Sequence, residues 1–160
     1  MIILVLFGTI EWKFKTLESF IQKKIPHFDN YNWIIQAGFS FENLEYLNSF
    51  QNVEVFNTIS TDALKFYYSK ADIIITHCGT GSIFSALEIG KIPFVIPRLF
   101  QNAEHVDNHQ EELFYYLLGR GFIKDLRESS NFSNVSNLID IDVSGKNLTK
   151  KIWRLLKHDA

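Results

Sequence analysis

His77, Gly79, Thr80, Gly81 and Ser82 are the residues whose types and spacing could hold a phosphate. An imidazole, two glycines and two hydroxyl side chains stand between an apolar run, Ile73 to Ile75, and a helical pattern. Glycine lets a backbone approach a ligand closely. The first turn of a helix offers unpaired N–H groups and the positive end of its dipole, which attract a diphosphate. The turn is neither of two common phosphate loops. A Walker loop needs Lys-Ser or Lys-Thr after its last glycine, whereas Gly81 is followed by Ser82-Ile83. A dinucleotide fingerprint lies near the first strand and carries a third glycine where this chain has Phe84.

Positioning such a turn requires strands and helices in alternation. Apolar runs predict strands over 2–7, 33–36, 53–55, 73–76 and 94–96, the last between Pro93 and Pro97. Helical patterns cover 16–24, 61–69, 82–89, 109–118 and 148–157. The alternation predicts an α/β chain with a mostly parallel sheet flanked by helices, whose ligands bind beyond the carboxyl ends of the strands. Residues 125–146 are polar and irregular, with Ser129-Ser130-Asn131 the clearest linker-like patch. The C-terminal stripe of Leu148, Ile152, Leu155 and Leu156 is flanked by Lys150, Lys151, Arg154 and Lys157. It suits packing on the chain's own sheet, docking on a partner, or a lipid surface.

With 160 residues and 46% hydrophobic content, the chain can bury one core, so residues 1–160 read as a single domain. A net charge of −2 gives no electrostatic footprint for nucleic acid. The one cysteine, Cys78, permits no internal disulfide, fits a reducing compartment, and is read as a packing thiol in preference to a nucleophile or metal ligand. The apolar start lacks a basic leader and is read as a buried first strand. No apolar run approaches the roughly 20 residues needed to cross a bilayer. The tripeptides beginning at Asn131, Asn134 and Asn147 match the N-glycosylation acceptor pattern, which is without meaning in a cytoplasmic protein.

Six segments follow one another in a specific order. They are Phe7-Gly8-Thr9, Gln36-Ala37-Gly38, Thr76 through Ser82, Gly90-Lys91-Ile92-Pro93, Ile96-Pro97-Arg98, and Glu104 through Gln110. Together they resemble the C-terminal domain of family 28 glycosyltransferases, over roughly residues 2 to 125. Small bacterial capsule and exopolysaccharide subunits, and the catalytic subunit of the dolichol-linked N-acetylglucosaminyltransferase, are members of that group. The resemblance implies a Rossmann-like domain of the GT-B type, holding a UDP-sugar and transferring the sugar with inversion, without metal or cofactor. The implied donor-binding residues are Gly8 and Thr9, then His77, Gly79, Thr80, Gly81 and Ser82, and finally Arg98, Glu104, His105, His109 and Gln110.

Chemistry leaves some of these roles open. His77 could donate to a phosphate oxygen or bond locally; Arg98 could counter a diphosphate or link to Glu104. Gln110 offers donors and an acceptor to sugar hydroxyls or lies on a helix surface. Glu11, beyond the Gly8-Thr9 loop, is the candidate base for the acceptor hydroxyl. His105 and His109 lack a third ligand at recognised spacing, and Asp140-Ile141-Asp142 lies far from the motifs, so no metal site is expected.

Three positions depart from the family pattern. Ser85 replaces a glutamate that binds the nucleotide ribose in many relatives, with Glu88 one turn on as a possible substitute. Lys15 replaces an aspartate, and Asp107-Asn108 reverses the usual order. The resemblance also implies that the chain is half an enzyme. A membrane-associated partner would supply the acceptor half at the inner face of the cytoplasmic membrane and present a lipid-linked saccharide. Among the sugars, galactose is favoured over glucose and N-acetylglucosamine.

Overall fold

The computed structural model describes residues 1–128. The anticipated helix over 148–157, the Asp140-Ile141-Asp142 pair, the linker-like patch at 129–131 and the three glycosylation tripeptides lie outside the described residues.

Six strands form one parallel sheet: β1 (Ile2–Leu6), β2 (Asn32–Gln36), β3 (Val53–Phe56), β4 (Ile73–His77), β5 (Phe94–Ile96) and β6 (Lys124–Asp125). Their order is β3-β2-β1-β4-β5-β6. Helices α1 (Lys15–Lys24), α2 (Phe41–Leu44), α3 (Thr61–Lys70), α4 (Thr80–Glu88) and α5 (His109–Leu118) connect them. The Rossmann-like α/β expectation therefore stands. Two elements escaped the sequence patterns: the two-residue β6, and α2 with the tight helical turns around it.

Strand periodicity explains the layers. Ile3, Val5 and Phe7 point to one face, where Leu17 and Ile21 of α1 cover them together with Leu44 and Leu47. Leu4 and Leu6 point to the other face, with Tyr68 of α3 and Ala86 of α4. Val95 shares that second face with Leu87 of α4 and with Phe114 and Leu117 of α5. The chain thus winds outward from β1 to β3 under one layer of helices, returns beside β1 as β4, and winds the other way under the second layer. The strand order reverses between β1 and β4, and ligands of open parallel sheets bind in the crevice beyond that point.

The Gly90-Lys91-Ile92-Pro93 turn has a structural function that the sequence did not disclose. Lys91 Nζ donates to the carbonyls of Tyr68 (3.0 Å) and Ser69 (3.2 Å), and to that of Ala71. These carbonyls end α3, where helical acceptors lack partners and the dipole favours a cation. Lys91 thereby ties the crossover into β4 to the crossover out of it. Lys91→Met is expected to lower stability by about 1–2 kcal/mol, read from the midpoint of urea unfolding.

Candidate functional site

The carboxyl ends of β1, β2 and β4 converge on a cluster of glycines around His77. Gly8 follows β1 with φ of 84°, and Gly38 follows β2 with φ of 53°. Both are left-handed conformations that glycine adopts without strain. A Cβ on Gly8 would sit 2.7 Å from His77 Cε1, one on Gly79 would overlap His77 Nε2, and one on Gly38 would overlap the Gly8 carbonyl. Glycine is required at all three positions because the imidazole and the first loop occupy the space.

Gln36 holds this arrangement from β2. Its Oε1 accepts from the Gly8 N–H at 3.2 Å, and its Nε2 donates to the carbonyls of Gly8 (3.1 Å) and Asn57 (3.2 Å). One buried amide therefore clamps both sides of Gly8 and reaches the loop after β3. The Gln36-Ala37-Gly38 segment gains its physical meaning here: the glutamine fixes the first loop, and the glycine leaves room for it.

Beside His77 the chain enters α4 with its amides unpaired. Gly79 is the N-cap and offers no side chain. The first intrahelical bond runs from the Ile83 N–H to the Gly79 carbonyl at 3.1 Å, leaving the N–H groups of Thr80, Gly81 and Ser82 with no backbone acceptor. Thr80 and Gly81 are exposed. Tyr68 pins the helix from behind, donating its hydroxyl to the Ser82 carbonyl at 3.0 Å. A cleft of about 340 Å³ opens on these amides, bounded by Gly8 and Thr9 on one side and by Ile59 and Leu64 on another. A second cleft, about 630 Å³, shares Thr9, Gln36 and Thr58 with it. The second carries Lys13, Glu42 and Glu45, so it is not another anion site.

His77 is buried, with Nδ1 3.3 Å from Thr76 Oγ1. Burial, aided by the positive field of Arg98, lowers its pKa to about 4, while a hydrogen bond with the Leu6 backbone opposes the shift. The ring is neutral at pH 7, and any hydrogen bond that it gives is that of a neutral imidazole. Cys78, packed among Ile83, Leu87 and Val95, is pushed up to about 12 by burial and is an inert packing thiol.

Arg98 and Glu104 are brought together, but not at the cleft. Arg98 is 1% exposed. Its Nη1 donates to the carbonyls of Trp12 (2.9 Å) and Glu104 (3.2 Å), its Nη2 to that of Phe7 (2.8 Å), and its guanidinium lies 4.4 Å from the Phe14 ring centre. Nη1 and Nη2 are thus bonded to protein carbonyls while Nε has no hydrogen-bond partner among the described residues, and the link to Glu104 exists, through its carbonyl. The Glu104 carboxylate is also buried and occupied. Its Oε1 accepts from the Thr16 N–H and hydroxyl, both at 2.7 Å, at the start of α1, and its Oε2 accepts from the Leu99 N–H at 3.3 Å. It braces the loop after β5 against the start of α1.

Gln110 sits at the start of α5 with its Oε1 accepting from the Arg98 N–H at 3.1 Å. That bond settles the amide orientation and leaves the NH₂ group to point elsewhere. His105 and His109 flank Asp107, with Nδ1 atoms 3.0 and 2.9 Å from its two carboxylate oxygens. Glu11 is exposed in the first loop and has no side-chain partner among the described residues. Glu88 is exposed as well. No group of three histidines, cysteines or carboxylates among the described residues is arranged to hold a metal ion.

Two outcomes follow from this geometry. Arg98→Met is expected to lower stability by about 3 kcal/mol or more, since it strands three carbonyls, whereas a surface ligand contact would leave the urea midpoint unchanged. For His77, the unfolded chain takes up a proton near pH 6.5 that the folded chain refuses until near pH 4. Stability is therefore full above pH 6.5 and declines as the pH falls toward 4. Urea unfolding at pH 7 and pH 5 should show that decline to be smaller in His77→Asn.

The chain is similar to known proteins in sequence and in fold. The model of the glycosyltransferase family 28 C-terminal domain matches residues 2–130. A 58-residue stretch is 47% identical to UDP-N-acetylglucosamine transferase subunit ALG13 of Yarrowia lipolytica, covering 34% of this chain and 28% of that protein. Among solved structures, the glycotransferase of kitacinnamycin superimposes with a TM-score of 0.64 at 20% identity, over 93% of this chain and 37% of that one. MurG of Acinetobacter baumannii does so with a TM-score of 0.54 at 20% identity, over 94% of this chain and 45% of that one. The chain therefore spans less than half the length of these relatives. The order of six motifs, the parallel sheet that gathers them and the matched span agree: the chain belongs to the glycosyltransferase family 28 C-terminal domain family.

Proposed function

We propose that this chain is the donor-binding catalytic subunit of a two-component glycosyltransferase, moving a hexose from a UDP-sugar to a lipid-linked acceptor. Galactose is the preferred sugar, and capsule or exopolysaccharide synthesis the setting. The observation that carries the reading is the uncapped start of α4, facing a cleft at the point where the strand order reverses. A diphosphate there would receive the N–H groups of Thr80, Gly81 and Ser82 and the helix dipole, which stabilise the charge that grows on departing UDP. Ile59 and Leu64 give the same cleft an apolar wall suited to a nucleobase. The free NH₂ of Gln110 suits a sugar hydroxyl.

The need for a partner is supported by the word subunit in the name of the Yarrowia protein. That partner is membrane-associated, supplies the acceptor half, and brings the chain to the inner face of the cytoplasmic membrane. Among the described residues, no helix is long and apolar enough to cross a membrane. One observation favours a second reading, a non-catalytic nucleotide-sugar-binding or enhancer subunit: Ser85 stands where many relatives have the ribose glutamate.

Calorimetric titration with UDP, UDP-galactose, UDP-glucose and UDP-N-acetylglucosamine, with and without magnesium, tests the donor site. Magnesium-independent binding is expected. Gly81 provides the sharper control, because a Cβ there meets nothing within 4 Å and the protein itself does not require glycine. Gly81→Ala is expected to stabilise the fold by about 0.5–1 kcal/mol while weakening UDP roughly tenfold. An alanine variant that binds UDP as tightly as the parent chain would count against diphosphate contact at this turn.

A further inference from the structure

The second cleft, about 630 Å³, is built on the same framework as the first, and diphosphate binding does not use it. The buried Gln36 amide lies at its base, tying the Gly8 carbonyl to the Asn57 carbonyl and so the loop after β1 to the loop after β3. Phe39 lines the cleft and is 55% exposed. Gly38 before it is buried in the left-handed conformation, and its N–H donates to the Asn57 carbonyl at 2.9 Å. Ser40 after it is buried too, its Oγ accepting from the Phe14 N–H at 3.0 Å. The ring between these two anchored residues is held out to the cleft by its neighbours' bonds.

Polar side chains complete the lining. Lys13 Nζ donates to Asn43 Oδ1 at 3.1 Å, and Asn43 Nδ2 donates to Oε2 of the buried Glu18 at 3.0 Å, so the ammonium is fixed while keeping hydrogens to give. Glu42 and Glu45, one turn apart, both line the cleft. Their carboxylates, the Asn57 side-chain amide and the Thr58 hydroxyl have no hydrogen-bond partner among the described residues.

This set of groups selects among ligands. A phosphate or a sugar acid meets two carboxylates against one ammonium and is repelled. A hydrocarbon chain would strip water from those charges and offer no hydrogen bond in return. A neutral saccharide satisfies each group: its hydroxyls donate to Glu42 and Glu45 in charge-assisted bonds, its oxygens accept from Lys13 and Asn57, and the C–H face of a pyranose packs on Phe39. Thr9, Gln36 and Thr58 line both clefts, so a saccharide here lies alongside whatever occupies the first.

We propose that the second cleft is a subsite for a neutral sugar of the acceptor, carried by this chain itself. This rests on the reading that the first cleft holds a UDP-sugar, which the shared lining then brings next to the acceptor. The partner presents the lipid-linked acceptor, and this chain reads one of its sugars.

The test uses the full chain. Calorimetry follows UDP, and saturation-transfer NMR at saturating UDP follows the methyl β-glycosides of galactose, glucose and N-acetylglucosamine, with methyl β-glucuronide as the anionic probe. Chain-dependent transfer of labelled hexose from UDP-sugars into lipid is followed in membranes of the source organism that lack the chromosomal copy. The parent chain is expected to pass saturation to at least one neutral glycoside, chiefly to the C–H protons of one pyranose face, and less to the glucuronide. Phe39→Ala, and separately Glu42→Gln with Glu45→Gln, alter exposed side chains. Each is expected to keep UDP affinity within about twofold, to lose the glycoside signal about fivefold or more, and to lower transfer about tenfold. No glycoside signal from the UDP-bound parent chain overturns the subsite, as does a signal that survives Phe39→Ala or that favours the glucuronide. Transfer that is absent from the parent chain, or undiminished in Phe39→Ala, overturns the acceptor role. A parent chain that binds a glycoside through Phe39 but binds no UDP removes the donor reading, and the acceptor role falls with it.

Discussion

A charge buried without water on any side anchors the functional rim. The Arg98 guanidinium would be costly in the core unpaired, and burial draws its pKa down to about 10, still charged at neutral pH. Three carbonyls, the face of Phe14 and the nearby carboxylates of Glu104 and Glu18 offset that cost. Because the carbonyls belong to Phe7, Trp12 and Glu104, one side chain joins the loop after β1 to the loop after β5 across the intervening strand β4. Glu104 completes the joint by taking the Thr16 N–H and hydroxyl at the start of α1. Loops that would otherwise move independently form one rigid edge.

Upon that edge the glycine cluster works by exclusion. His77, Gly8, Gly79 and Gly38 are packed so closely that Cβ atoms do not fit, and Gln36 fixes the Gly8 peptide from both sides. Rigidity there holds the N–H groups at the start of α4 in place beside the His77 ring. The neutral state of His77 belongs to the same design. A cation held in that clasp would repel the nearby guanidinium, and burial has already removed it.

Two departures from the family pattern acquire different weights in three dimensions. Ser85 lies in the helix whose first turn Tyr68 steadies by donating its hydroxyl to the Ser82 carbonyl. The reversed Asp107-Asn108 order puts a carboxylate between two imidazoles and leaves Asn108 Oδ1 to accept from the Phe100 N–H at 3.2 Å. Neither change touches the amides at the phosphate turn.

Strand and helix alternation, the glycine turn into α4 and the six ordered motifs were legible in the sequence, because they depend on local periodicity and on glycine chemistry. The strands over 33–36, 53–55 and 94–96 emerged with those residues paired, since 33–35 and 94–96 are buried apolar runs and Val53 and Val55 alternate inward around the exposed Glu54. Direction of side chains was not legible. Arg98 and Glu104 stand in the motifs as charged residues on a ligand-binding rim, yet both point inward, and Lys91 turns out to cap a helix more than 20 residues earlier. Such roles depend on which carbonyls and amides meet across the sheet, at sequence separations up to 91 residues for Arg98 with Phe7. The sequence by itself determined which residues would gather at the strand ends; only the tertiary structure decided which of them face the cleft, because long-range hydrogen bonds, and not local pattern, satisfy a buried charge.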